Sequence, residues 1–275
     1  MLAPGEMIAA NGSQYHVRRW GNSGPTILLE TGLAMMSACW GWLAPALAET
    51  NRVIAYDRAG LGWSGDREGL RDAAQIATEL EGLWKALRVE GPAVFLGHSM
   101  GSLFNRALYR LNPSMVSAMI WLDPAHPDQL PRSRRMRSFF FLLEFAHLLA
   151  QRNLPSITLR IVPHLKGLPE QDYRTLKRFL KNPRHLRTCA REARAWKLSA
   201  DHVAASVTLG DVPLLVISAQ KSALRNWTRY QQELATLSSR SRHITFTEKS
   251  HLSMLANREH AGRVADEIKA FVAKL

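Results

Sequence analysis

The chain has 275 residues, 46% hydrophobic and 21% charged, proportions that exclude a disordered tail or a low-complexity scaffold and allow one folded unit with a sizeable core. Cys39 and Cys189 lie far apart and form neither a C-x-x-C nor a metal-ligand spacing, which argues against a disulfide framework or a zinc site. The formal net charge of +13 is concentrated in one place: residues 131–200 hold 16 Lys and Arg against 4 acids (Glu144, Glu170, Asp172, Glu192), a net of +12.

The N-terminal stretch MLAPGEMIAANGSQYHVRRWG lacks an apolar run long enough for a signal peptide, and no segment reaches the roughly 18 apolar residues of a membrane span. The expected location is the cytoplasm. GEMIAA and QYHVRRW flank an Asn-Gly-Ser turn and predict a hairpin. PTILLE, RVIAYD, AVFLGH, AMIWLD, PLLVIS and RHITFT follow as short apolar runs, suited to strands buried on both faces of a parallel sheet. Between them, AAQIATELEGLWKALRV and SLFNRALYRL carry apolar residues at helical spacing, and REHAGRVADEIKAFVAKL closes the chain in the same way. The alternation predicts an α/β fold, a mostly parallel sheet flanked by helices. Residues 127–208 break the rhythm. SFFFLLEFAHLLA, QDYRTLKRFLKN and LRTCAREARAWKLSADHVAAS predict helices, punctuated by prolines at 131, 155, 163, 169 and 183. This divides the chain into a core of residues 1–126 and 209–275 and a helical insertion of residues 127–208.

Gly97-His98-Ser99-Met100-Gly101 lies between a predicted strand and a predicted helix. A serine there sits on a sharp strained turn that presents its hydroxyl above the sheet, and the glycines admit the close backbone approach. Ser99 is therefore the candidate nucleophile. A hydroxyl needs a base as it attacks, and His251 is the candidate, on a loop after the last strand at the carboxyl edge of the sheet.

With these residues in view, ILLETGLAMMSACWGWLAPALA, VIAYDRAGLGWSGD, VFLGHSMGS, AMIWLDPAHPDQ and KSHLSML resemble, in order, the signature segments of the α/β-hydrolase superfamily. The resemblance runs from about residue 25 to the C-terminus, apart from the insertion. It implies that fold and a Ser, acid, His order, and it names no substrate. It also implies an oxyanion hole from the backbone N–H groups of Leu33 and Met100, although Thr31 stands where the family often has a histidine. Epoxide hydrolases and dehalogenases of this fold use an aspartate as nucleophile, so Ser99 points away from them.

The third catalytic residue has no acid at the family's commoner place: after PLLVIS come Gln220, Lys221 and Ser222. Asp211 precedes that strand and falls about 20 Å from the catalytic edge at ~3.3 Å per residue. Asp201 belongs to a predicted helix of the insertion, and Glu248 is a sequence neighbour of His251 whose side chain tends to point away. Asp123 ends the strand after the nucleophile's helix and emerges at the same edge as Ser99, a placement similar to that in a subset of the haloalkane dehalogenases. Asp123 is the expected acid, with Pro124 expected to hold it extended; a turn-capping role is the alternative.

Asp57-Arg58-Ala59-Gly60-Leu61-Gly62-Trp63-Ser64 contains G-x-G without the rest of a dinucleotide site and predicts a packed turn at the pocket rim. Trp40 and Trp42 are expected as core or pocket aromatics. The basic insertion fits a solvated face, an anionic membrane surface, with SFFFLLEFAHLLA beside Arg132, Arg134, Arg135 and Arg137, or an acidic substrate; no nucleic-acid motif accompanies it. The expected function is a serine hydrolase acting on a carboxylic ester or similar acyl compound, without cofactor or metal. A carbon-carbon or amide hydrolase with the same residues, and a catalytically silent binding or lipid-surface module, are the alternatives.

Overall fold

The computed structural model describes residues 3–129, 134–152, 162–204, 208–222 and 226–275. Strands β1 (Glu6–Ala10) and β2 (Ser13–Trp20) form the predicted hairpin. Asn11 and Gly12 at its tip both have positive φ (52° and 72°), as a two-residue turn of matching twist requires. β2 runs antiparallel to β4 (Arg52–Tyr56), and the rest of the sheet is parallel: β3 (Thr26–Glu30), β5 (Ala93–His98), β6 (Val116–Leu122), β7 (Leu214–Ala219) and β8 (Ser241–Phe246). The order β1-β2-β4-β3-β5-β6-β7-β8 makes an eight-stranded sheet in which the winding reverses around β3. Loops leaving the carboxyl ends of β3 and β5 therefore diverge over a crevice, the usual ligand position in an open α/β sheet.

Every residue of β3, β5 and β7 is buried, which is why these strands read as apolar runs that turn polar only toward their ends. One face is covered by α1 (Leu43–Leu47) and the C-terminal helix α10 (Arg258–Val272), through Leu43, Leu47, Val264 and Ile268. The other is covered by α2 (Ala73–Leu87) and α3 (Gly101–Leu111), through Ile76, Leu80, Leu83, Leu103 and Phe104. Each such side chain contributes about 1.5–3 kcal/mol on burial. Asp72 caps α2, its carboxylate accepting from Gln75 N at 2.9 Å, a contact worth about 1 kcal/mol.

Between β6 and β7 stand α4 (Arg134–Gln151), α5 (Glu170–Phe179), α6 (Pro183–Arg194) and α7 (Trp196–Ala204). Arg132, Pro131 and Pro155, and the side chains of Arg134, Arg135 and Arg137, lie outside the described residues. The sequence predicts one continuous helix over 186–206, whereas two helices meet at Ala195. The break follows from burial in two directions. Leu186, Cys189 and Ala193 of α6 turn toward α4 and toward Ala34 and Leu61 of the core, while Trp196, Ala200 and Val203 of α7 pack among residues of α2 and α3. Pro183 starts α6 rather than interrupting a helix, at a position where its missing N–H costs nothing. α8 (Trp227–Ala235) and α9 (Ser253–Ala256) complete the described α-helices. α1 and α9 escape prediction because five and four residues are too few to show a period.

Candidate active site

Ser99 leaves β5 with φ of 53°, in the left-handed region that costs a non-glycine residue about 1–3 kcal/mol. The surroundings hold it there. Ser99 N donates to Leu122 O (3.0 Å), and Ser99 O accepts from Ala125 N (3.0 Å) and from Ser102 Oγ (2.8 Å). The flanking glycines are required by contact: a Cβ on Gly97 would stand 2.7 Å from Gly101 C, and one on Gly101 would stand 2.5 Å from Glu30 O. The strand, the turn and α3 can close together only without those side chains.

Asp123, 1% exposed, meets His251 where β6 and the loop after β8 converge; Nδ1 of the histidine donates to Oδ2 at 2.6 Å. The other carboxylate oxygen accepts from Ala219 N at 2.9 Å. Thus the end of β7, where the acid is absent, supplies a backbone donor to the acid from β6. With Nδ1 carrying the proton, Nε2 of His251 is the nitrogen left to serve as a base. The expectation that Pro124 keeps Asp123 extended is overturned: φ of Asp123 is 46°. Aspartate tolerates this conformation better than most residues, and the turn is pinned by Asp123 N donating to Ile217 O (2.6 Å) and Ala125 N to Ser99 O. The same bonds tie the acid's turn to the serine's.

His98 reinforces the histidine loop. Its ring lies 4.5 Å from that of His251, and its Nε2–H donates to His251 O at 3.2 Å. Burial, together with the neighbouring His251, holds His98 well below the ordinary histidine pKa, so it is a neutral spacer. Gly32 fits against this pair, where a Cβ would lie 3.0 Å from Ser99 Cβ and 3.3 Å from His98 Nδ1. Leu33 follows immediately, and Met100 is the residue after Ser99 at the start of α3.

The other acids lie elsewhere. Asp201 pairs with Lys197 on the exposed side of α7 (2.6 Å), Glu248 pairs with Arg263 (2.6 Å), and Asp211 is exposed before the amino end of β7. Trp40 is buried edge-on to His98, with ring centroids 6.4 Å apart, and Trp42 Nε1 donates to Gly167 O at 2.7 Å. A cavity of about 320 Å³ lined by Arg19, Thr26, Arg52 and Arg88 opens at the amino ends of β3 and β4, the wrong end of the sheet for Ser99.

The turn after β4 is more than a rim. Asp57 accepts from His16 Nδ1 (2.9 Å), Ser37 N (2.7 Å) and Trp63 N (3.0 Å). Arg58 lies between two buried carboxylates, Glu30 (2.5 Å) and Glu192 (2.8 Å). Burial disfavours the Arg58 charge, but Glu192 and Glu30 more than compensate and raise its pKa; burial also raises that of Glu30 against the pull of Arg58. This cluster was not singled out from the sequence. Its only local sign is a charged residue, Glu30, ending a buried strand.

A model of the alpha/beta hydrolase family matches residues 27–267, and the chain belongs to that family. It is 28% identical over 247 residues to the uncharacterized protein YqjL of Bacillus subtilis, covering 88% of this chain and 82% of that one. It is 40% identical over 83 residues to an AB hydrolase superfamily protein of Gibberella zeae, 30% of this chain and 26% of that protein. Among solved structures, a thermophilic esterase from Thermogutta terrifontis superposes with a TM-score of 0.77 at 21% identity, covering 98% of both chains. The epoxide hydrolase CorEH gives 0.77 at 19%, covering 96% of this chain and 98% of that one. At these identities the structural likeness is one of fold.

Proposed function

We propose that this protein is a serine hydrolase that cleaves a carboxylic ester or similar acyl compound through an acyl-enzyme. The observation that carries the reading is the 2.6 Å His251–Asp123 pair beside a strained turn bearing Ser99. Ser99 Oγ bonds to the substrate carbonyl carbon while its proton passes to His251 Nε2. The carbonyl π electrons move onto oxygen, where Leu33 N–H and Met100 N–H receive the charge. Asp123 holds the imidazole in the required tautomer and supports the imidazolium. Collapse of the intermediate expels the leaving group, which takes the proton from His251, and water repeats the sequence to free the acid. A serine nucleophile on this fold supports acyl transfer rather than epoxide opening.

The experiment is a fluorophosphonate probe with a substrate panel. Labelling and p-nitrophenyl ester turnover are expected in the wild type and absent in Ser99→Ala. No labelling of folded wild-type protein would sink the reading in favour of a silent module. Turnover of β-diketone or aminoacyl substrates in preference to esters would shift it to carbon-carbon or amide cleavage.

The helices of residues 127–208 act in this reading as a cap, with Phe140, packed against the same apolar cluster as Leu33 and 5.5 Å from the Trp196 ring, as part of its underside. Its outer side suits an anionic membrane surface: Phe141, Phe145 and Leu148 project from one face of α4 within the segment that carries the +12 charge.

A further inference from the structure

Leu33 N–H shares a peptide with Gly32 C=O, and that carbonyl is held by a buried cation. Arg58 is 1% exposed and its guanidinium is fully engaged. Nε and Nη2 donate to Glu192 Oε1 and Oε2 at 2.8 Å each. Nη1 donates to Glu30 Oε1 (2.5 Å), Thr31 O (2.8 Å) and Thr31 Oγ1 (2.9 Å), and Nη2 also donates to Gly32 O at 3.0 Å. The described peptide bonds are all trans, so a carbonyl and the N–H of the same peptide point in opposite directions. Turning Gly32 C=O toward Arg58 therefore turns Leu33 N–H away from it. A charge-assisted bond to the carbonyl also polarises the peptide and strengthens its N–H as a donor. Glu192 belongs to α6, so the cation that sets this peptide is itself held by a helix of the cap. The helix is fixed further where Gly62 N donates to His185 Nδ1 (3.0 Å) and Arg184 Nη2 to Gly62 O (2.6 Å).

We propose that Arg58 is a positioning residue for the oxyanion hole: through Gly32 O it fixes and polarises the peptide whose N–H at Leu33 receives the developing negative charge, and Glu192 couples that setting to the cap. The inference rests on the acyl-transfer reading above. It separates the family-like turn after β4 from a merely structural role, because its effect is felt only when charge appears on the substrate oxygen.

The test compares wild type, Arg58→Lys and Glu192→Gln. Lysine keeps the charge but lacks the fork that holds Glu30, Glu192 and Gly32 O together. Losing an oxyanion donor outright costs about 10²–10³ in kcat, so misaligning one is expected to lower kcat by about 10-fold in Arg58→Lys. KM is expected to stay within about 3-fold. The deciding readout is a trifluoromethyl ketone: Ser99 Oγ adds to its carbon, the π electrons form an oxyanion, and the serine proton goes to His251. Its inhibition constant is expected to rise by the factor by which kcat/KM falls, while affinity for the corresponding alcohol, which forms no oxyanion, stays constant. Glu192→Gln, which keeps the guanidinium but weakens the hold on Nε and Nη2 and so on the nitrogen that donates to Gly32 O, is expected to show a smaller loss in the same proportion. If Arg58→Lys does not fold, as judged by its melting curve, Glu192→Gln decides. Folded variants with unchanged kcat, or with activity lost and ketone affinity retained, overturn the inference. Wild-type protein with no Ser99-dependent turnover would instead overturn the function on which it rests.

Discussion

Strand β5 is buried along all six residues, whereas α4, with 18, leaves Phe141 70% exposed and Phe145 and Leu148 47% exposed. The sheet has two covered faces and its side chains have nowhere to go but inward. The helices between β6 and β7 meet the core through apolar side chains, Leu176, Phe179, Trp196 and Val203 among them, and also through directed polar contacts. Arg58–Glu192, Arg184–Gly62 and His185–Gly62 join them to the turns around the site. The difference teaches that the sheet is held by buried area, and the helices between β6 and β7 by buried area together with a few directed bonds, so the two should answer differently to substitution and to pH.

The largest effect is expected at the junction between β6 and the histidine loop. Asp123→Asn should lower kcat by about 10⁴, as the comparable change does in a serine protease triad, with the fold intact by circular dichroism; a near-normal rate would remove Asp123 from its proposed role. The helices between β6 and β7 should respond to acid. His185 is fully buried and its pKa is lowered to about 4, because burial penalises the charged ring, whose Nδ1 already accepts from Gly62 N. The unfolded chain binds that proton near pH 6.5, so between about 6.5 and 4 the unfolded state holds more protons and stability is lost as pH falls, by about 3 kcal/mol for this group. His185→Gln should flatten that part of the stability profile; an unchanged slope in urea titrations at pH 7 and 4.5 would count against it.

Gly32→Ala tests how tightly the Gly32 turn is seated against the serine. A methyl 3.0 Å from Ser99 Cβ should cost about 1–3 kcal/mol of stability and slow fluorophosphonate labelling, read by melting temperature and labelling rate. Normal labelling would show that the turn has slack. The smallest change in stability, within about 0.5 kcal/mol, is expected for Phe141→Glu with Phe145→Glu on the exposed face of α4. That pair should nevertheless abolish co-sedimentation with phosphatidylserine-containing vesicles at low salt. Equal sedimentation of variant and wild type would reject α4 as the docking surface.

Strand positions were legible because burial on both faces makes a strand an apolar run, and the order of Ser99, Asp123 and His251 along such runs directs attention to one sheet edge. The conformation of Asp123 was not legible: Pro124 suggests an extended residue, and the bonds to Ile217, Ala219 and the Ser99 turn impose positive φ instead. Nor was the division of α6 from α7, since helical spacing continues across Ala195 and only the position of α2 and α3 gives the second half another place to bury. Glu192 shows the limit most sharply. In sequence it is one of four acids in a basic segment, and nothing near it announces a partner 134 residues away.

Local sequence thus determined the strands, the elbow around Ser99 and the concentration of positive charge, because periodicity, turn chemistry and composition are properties of neighbouring residues. Tertiary structure alone decided that β7 gives Asp123 a backbone donor and that α6 reaches Arg58 beside the Gly32 turn. Those contacts depend on where remote segments come to rest, and the energy of a buried charge is set by whatever surrounds it there.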